Sequence, residues 1–224
     1  AGRLMTNNLT RNRMVQTIAE LLQKKGSRTR QASLPASLER KKNEITATYG
    51  SREQFMRAFN PAAQRTVCNN PEVCFFGGAP TLAQLNATYG GQTAAAWLVP
   101  QLYDLSEYSG SKEKLQGVPL EDCATVIAAD FHYLNVTELM LFFRRFKSGL
   151  YGHFYASVDP LKITTALRTF LTERAIAIER HEQQLRDQRD EESRRNAITY
   201  PEYQRRKAAA HALRQPISQQ SIEQ

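Results

Sequence analysis

The sequence predicts an all-α protein: a compact multi-helix domain carrying a basic N-terminal helical arm and a long charged C-terminal helix. Three observations lead there. Apolar residues recur at three- and four-residue spacing in run after run, no run alternates as a half-buried strand would, and Ser, Thr, Asn or Asp stands where many of these runs begin. With 224 residues of which 41% are hydrophobic, the chain can bury one core but is short for two full domains.

The first element is an amphipathic helix in which Leu9, Met14, Val15, Ile18, Leu21 and Leu22 share a face, with Asn7, Asn8 or Thr10 able to cap it and Gly26 near its end. Residues 1–4 precede Met5, which reads as a natural start, and are set aside as an appended stretch. Residues 26–35 are small and cationic without apolar periodicity and read as a linker. Helices follow over residues 37–49 and from Ser51 onward. Between residues 60 and 80, Pro61, Asn69, Asn70, Pro71, Gly77, Gly78 and Pro80 interrupt any regular element longer than about two turns and predict an irregular connector.

Thr81 caps the next predicted helix, with Leu82, Leu85 and Tyr89, and Gly90-Gly91 ends it. The run over residues 93–108 carries small residues beside Trp97, Leu98, Leu102 and Leu105, which suits close helix packing around a large ring. Pro119, followed by Leu120, Glu121 and Asp122, reads as a first helical turn. A helix begins after Asn135 with Leu139, Phe142, Phe143 and Phe146 as its buried stripe and stops at Gly149; residues 149–157 are an aromatic loop. Asp159-Pro160 opens the long final helix, whose apolar stripe fades beyond Arg180 into mixed charge, so its end is expected to project into solvent. Residues 200–214 read as one more basic helix before a polar tail. The expected organisation is an arm over 1–42, a helix pair and connector over 43–80, a helical core over 81–180 and a charged extension over 181–224.

Charge is distributed unevenly. The net charge of +8 lies entirely in residues 1–42, which carry ten basic side chains against two acidic ones, while the remainder is balanced. A single-sign arm on a neutral body suits docking on a phosphate backbone or an acidic protein surface. Within it, Arg11, Arg13, Lys24, Lys25, Arg28, Arg30, Lys41 and Lys42 are the candidate phosphate contacts. A second candidate patch lies in residues 139–155, where Arg144, Arg145 and Lys147 interleave with aromatic residues that include Tyr151. Cations for phosphates with rings for stacking are what single-stranded nucleic acid requires. The competing reading makes the phenylalanines core and the cations a solvated face.

No catalytic constellation is legible. Phosphate-loop and dinucleotide-binding patterns are absent, and His132, His153, His181 and His211 show no metal-protease spacing. Asp130 and His132 point to different faces of a helix, and Cys123 reads as a packed thiol. Cys68, Cys74 and Cys123 are odd in number, and five residues between the first two is a poor zinc spacing, so neither a metal, a disulfide framework nor another cofactor is expected. No apolar run is long enough for a membrane helix and the N-terminus lacks a secretory pattern, so a cytoplasmic, non-membrane location is expected.

The blocks PTLAQLNATYG, AAAWLVPQLYDLSEYSG, NVTELMLFFRRFKSGLYGHFY and SVDPLKITTALRTFLTERAIAIE, over residues 81–178, resemble a family of small uncharacterised proteins of Bacteroidales genomes, mobile elements and phages. More loosely, the helix, KxGxYGxFY segment and long helix over residues 136–174 are similar to helical replication accessory proteins of phages, helicase loaders among them. The resemblance implies a mobile-element context near DNA and assigns no catalytic residue. The expected function is a non-enzymatic, nucleic-acid-associated accessory factor with a protein partner, DNA being favoured over RNA. The alternative is a protein–protein adaptor docking through its terminal amphipathic helices.

Overall fold

A computed structural model describes residues 36–197 and 199–213. These residues form helices α1 (Ala36–Tyr49), α2 (Arg52–Ala58), a 3-10 turn (Pro61–Ala63), α3 (Gln64–Val67), α4 (Pro71–Phe76), α5 (Leu82–Tyr89), α6 (Thr93–Tyr108), α7 (Gly117–Asp130), α8 (Val136–Lys147), α9 (Pro160–Asn196) and α10 (Tyr200–Leu213). The all-α expectation holds over them. The amphipathic helix and linker expected before Ala36, and the tail after Leu213, lie outside the described residues.

Helix α8 is the axis of the fold. It packs against α3, α4, α6 and α9, and Val136, Leu139, Met140, Leu141, Phe142, Phe143 and Phe146 are all buried. The buried face is therefore wider than the expected stripe, and covers most of the helix except its last turn, where Arg144 is exposed. Full burial of each such side chain contributes about 1.5–3 kcal/mol, so this helix anchors the core. Its start is fixed by a capping box in which the Asn135 side chain accepts the Glu138 backbone N–H at 2.7 Å and the Glu138 carboxylate accepts the Asn135 N–H at 2.8 Å.

Residues 60–80 depart most from expectation. The prolines and asparagines that suggest an irregular connector here begin short helices: Asn60 caps the 3-10 turn and Asn70 caps α4, each with proline at the first or second position that follows. Cys68 and Cys74 enter the same hydrophobic cluster as Phe55, Trp97, Phe142 and Phe170. The Cys74 carbonyl accepts hydrogen bonds from Thr137 Oγ1 at 2.9 Å and Asn135 Nδ2 at 3.3 Å, which ties α4 to the first turn of α8.

Helix α6 runs through Pro100, and its N-terminus is capped from α5, the Asn86 Oδ1 accepting the Ala94 N–H at 2.8 Å. Helix α7 begins at Gly117, two residues before the proline expected to open it; Gly117 takes a φ of 57°, a conformation open to glycine. Asp159 caps α9 by accepting the Leu161 N–H at 2.8 Å, as its sequence predicts. The first half of α9 buries Ile163, Ala166, Leu167 and Phe170, whereas every residue from 182 to 197 is exposed. No helix among the described residues is long and apolar enough to cross a membrane.

Candidate nucleic-acid interface

The C-terminal turn of α8 carries three cations that the structure treats differently. Arg145 Nη1 lies 2.6 Å from Glu173 Oε2 on α9, with its guanidinium 5.9 Å from the Phe75 ring centre and 6.0 Å from that of Phe170. Lys147 is paired with Asp104 of α6 and donates to Gln64 Oε1 at 2.9 Å. Arg144 is exposed and has no ion pair among the described residues.

Tyr151 is not a free stacking platform. Its ring stacks on Phe142 at 5.4 Å between centres, and its hydroxyl donates to Glu173 at 3.2 Å. Burial, with the Glu173 charge beside it, pushes the phenol well above its ordinary range. Arg145 and Tyr151 thus converge on one α9 carboxylate, and of the three cations Arg144 alone faces solvent without an ion pair among the described residues.

Lys147 also closes a buried polar chain. Gln64 Nε2 donates to Gln101 Oε1 at 2.6 Å, Gln101 Nε2 donates to the Phe59 carbonyl at 2.9 Å, and Trp97 Nε1 donates to that same carbonyl at 2.8 Å. Each buried amide is thereby satisfied. The chain locks α3 to α6 and fixes the position of the Lys147 ammonium at the surface.

Between α3 and the end of α8 opens a cleft of about 360 Å³. Arg65 enters it from α3, Arg144 and Lys147 from α8, and Tyr108 from the last position of α6. Tyr108 is 66% exposed, and the Lys147 ammonium lies 5.8 Å from its ring centre. Arg65 is likewise exposed and without an ion pair among the described residues. Neither Arg65 nor Tyr108 is marked by sequence pattern: Arg65 sits in the stretch read as connector, and Tyr108 ends a helix otherwise notable for its buried residues.

A smaller hollow of about 100 Å³ adjoins the cleft, sharing Tyr108 and Lys147 with it and lined further by His153 and Phe154. Just beyond, the Lys162 ammonium lies 5.6 Å from the Phe154 ring centre and 5.4 Å from that of Tyr155, which is 92% exposed.

Of the arm residues, Lys41 and Lys42 lie on α1, where they pair with Glu44 at 2.9 Å and Glu39 at 3.7 Å. Such exposed pairs are worth little and exchange readily for a stronger anion. Arg11, Arg13, Lys24, Lys25, Arg28 and Arg30 lie outside the described residues. No three His, Cys, Asp or Glu side chains among the described residues converge as a metal site requires.

The thiols are packed. Burial pushes Cys123 up to about 11. The Cys74 thiol donates to the Val67 carbonyl at 3.5 Å, and the neighbouring Cys68 thiol is pushed up by Cys74 beside it and by burial.

The described residues form an all-α fold with a surface hollow that combines guanidinium groups with an exposed aromatic ring. Residues 116–213, from the start of α7 to the end of α10, match a family of unknown function, DUF6633. No curated protein and no solved structure matches the chain.

Proposed function

We propose that the protein is a non-enzymatic, nucleic-acid-associated accessory factor of a mobile element or phage-like system, acting in replication, transfer or their control. The observation that carries this reading is the charge distribution: the whole net charge of +8 lies in residues 1–42, on a chain otherwise balanced. Phosphate contacts made by such a segment supply affinity without sequence preference. Arg65 and Arg144 add two cations on the helical body that no carboxylate among the described residues answers. The mobile-element context rests on the resemblance of residues 81–178. DNA is favoured over RNA, and a cytoplasmic site of action goes with this reading.

The test is anisotropy binding of a labelled single-stranded DNA to the intact chain and to a full-length variant with Arg11, Arg13, Lys24, Lys25, Arg28 and Arg30 changed to Gln. Loss of affinity and of salt dependence in the variant supports the reading; equal binding by both forms removes the arm from it.

A second reading, a protein–protein adaptor, is favoured by α9, in which every residue from 182 to 196 is exposed. A helix held clear of the body on its own core-anchored first half can lie in a partner groove. A stoichiometric complex that survives nuclease treatment separates this reading from the first.

A further inference from the structure

Cations at the end of α8 have an ordinary explanation, since they complement the negative end of the helix dipole. Arg145 and Lys147 already do so while paired with Glu173 and Asp104. That explanation extends to Arg144 but does not account for Arg65, which reaches the same cleft from a separate helix. Two like charges brought to one hollow from different parts of the chain are a cost that a bound anion relieves. Guanidinium groups are suited to phosphate because their planar forks match its oxygens.

Tyr108 adds the second half of a nucleic-acid site. Its ring is 66% exposed at the lip where the two hollows meet, with Lys147 held beside it by Asp104 and Gln64. On the far side of Tyr108, the smaller hollow leads to His153 and then to Lys162 and the exposed Tyr155. Cations and rings therefore alternate along one continuous surface path, the pattern by which a strand's backbone is tracked and its bases are stacked.

Resting on the nucleic-acid reading above, we propose that this path is a single-strand nucleic-acid site: Arg65 and Arg144 bind backbone phosphates and Tyr108 stacks one base. A duplex, whose bases are already stacked on one another, cannot use the ring.

The experiment uses the full chain with fluorescein-labelled dT12, rU12 and an abasic oligonucleotide of the same length. The double variant Arg65→Glu/Arg144→Glu is expected to bind dT12 at least tenfold more weakly and to flatten the log–log salt slope by about 1.4, the contribution of two single-strand phosphate contacts. Tyr108→Ala is expected to lose about tenfold on dT12 and nothing on the abasic strand. The rU12 strand keeps the stacking face while changing the sugar and removing the thymine methyl, and Tyr108→Ala is expected to lose about tenfold on it as well. If the wild type binds and both variants bind equally well, the path is not the site although the broader reading stands. If Tyr108→Ala weakens the abasic strand as much as dT12, base stacking on Tyr108 is overturned. If the wild type binds none of the three strands, the site and the broader reading fall together.

Discussion

Arg174 of α9 holds Glu138 of α8 through a contact of 2.6 Å from Nε to Oε1, and Glu138 is only 1% exposed. The other carboxylate oxygen closes the capping box with Asn135. One acidic side chain thus starts the central helix and receives the long one, so the two elements are coupled through a single buried charge.

Removing Arg174 leaves that charge without its partner. Arg174→Met is expected to destabilise the fold by about 3 kcal/mol, the lower end of the cost of breaking a buried pair, because Arg174 itself is partly in water. Glu138→Gln keeps an acceptor for the Asn135 N–H and removes the charge, so the double variant Glu138→Gln/Arg174→Met should recover part of the loss. Urea unfolding of the three variants measures the difference; a double variant no more stable than Arg174→Met would show that the pair is not the source.

Trp97 is the sole tryptophan and is 1% exposed. Its emission should be that of an indole in an apolar site and should move to longer wavelength in one step with unfolding. Gln101→Leu leaves the buried Gln64 amide without its acceptor and the Phe59 carbonyl with one donor fewer. The expected loss is about 1–3 kcal/mol, read from the midpoint of the same transition.

The cysteines supply a pH prediction. Burial raises Cys123 to about 11 from an ordinary 9.0, so its thiolate is about one part in a thousand at pH 8 and labelling should be slow until the chain unfolds. Since the folded value lies above the unfolded one, this contribution to stability is complete below about pH 9 and is lost as pH rises towards 11. The unfolding midpoint of wild type should fall over that window more than that of Cys123→Ala. Equal pH dependence in the two would contradict the assignment.

Gly50 follows α1 with a φ of 73°. A Cβ there would collide with Gln54 Oε1, which accepts the Ser51 N–H in the cap of α2. Gly50→Ala is therefore expected to cost about 1–2 kcal/mol, from backbone strain with some loss of the cap, measurable by thermal unfolding.

Much of the helical order was legible because it is written locally. Asn135, Asp159 and Thr81 cap where their side chains predict, and Gly90 ends α5. What was not legible depends on partners distant in sequence. Residues 60–80 look irregular because their helices are a turn or two long, and their place in the core follows from α8 accepting Cys68 and Cys74 beside it. Arg145, Lys147 and Tyr151 look alike in the sequence, as candidates for one surface patch. Only the positions of Glu173 and Asp104, on other helices, distinguish them from Arg144. Arg65 and Tyr108 line one cleft across a sequence separation that no local pattern encodes.

The most direct test of the central claim is the affinity of the intact chain for a labelled single-stranded DNA measured across a salt series from low to physiological ionic strength. Binding at low salt is expected, with an association constant whose logarithm falls linearly with the logarithm of salt concentration. Absence of binding at low salt, or an affinity that does not change with salt, would contradict it.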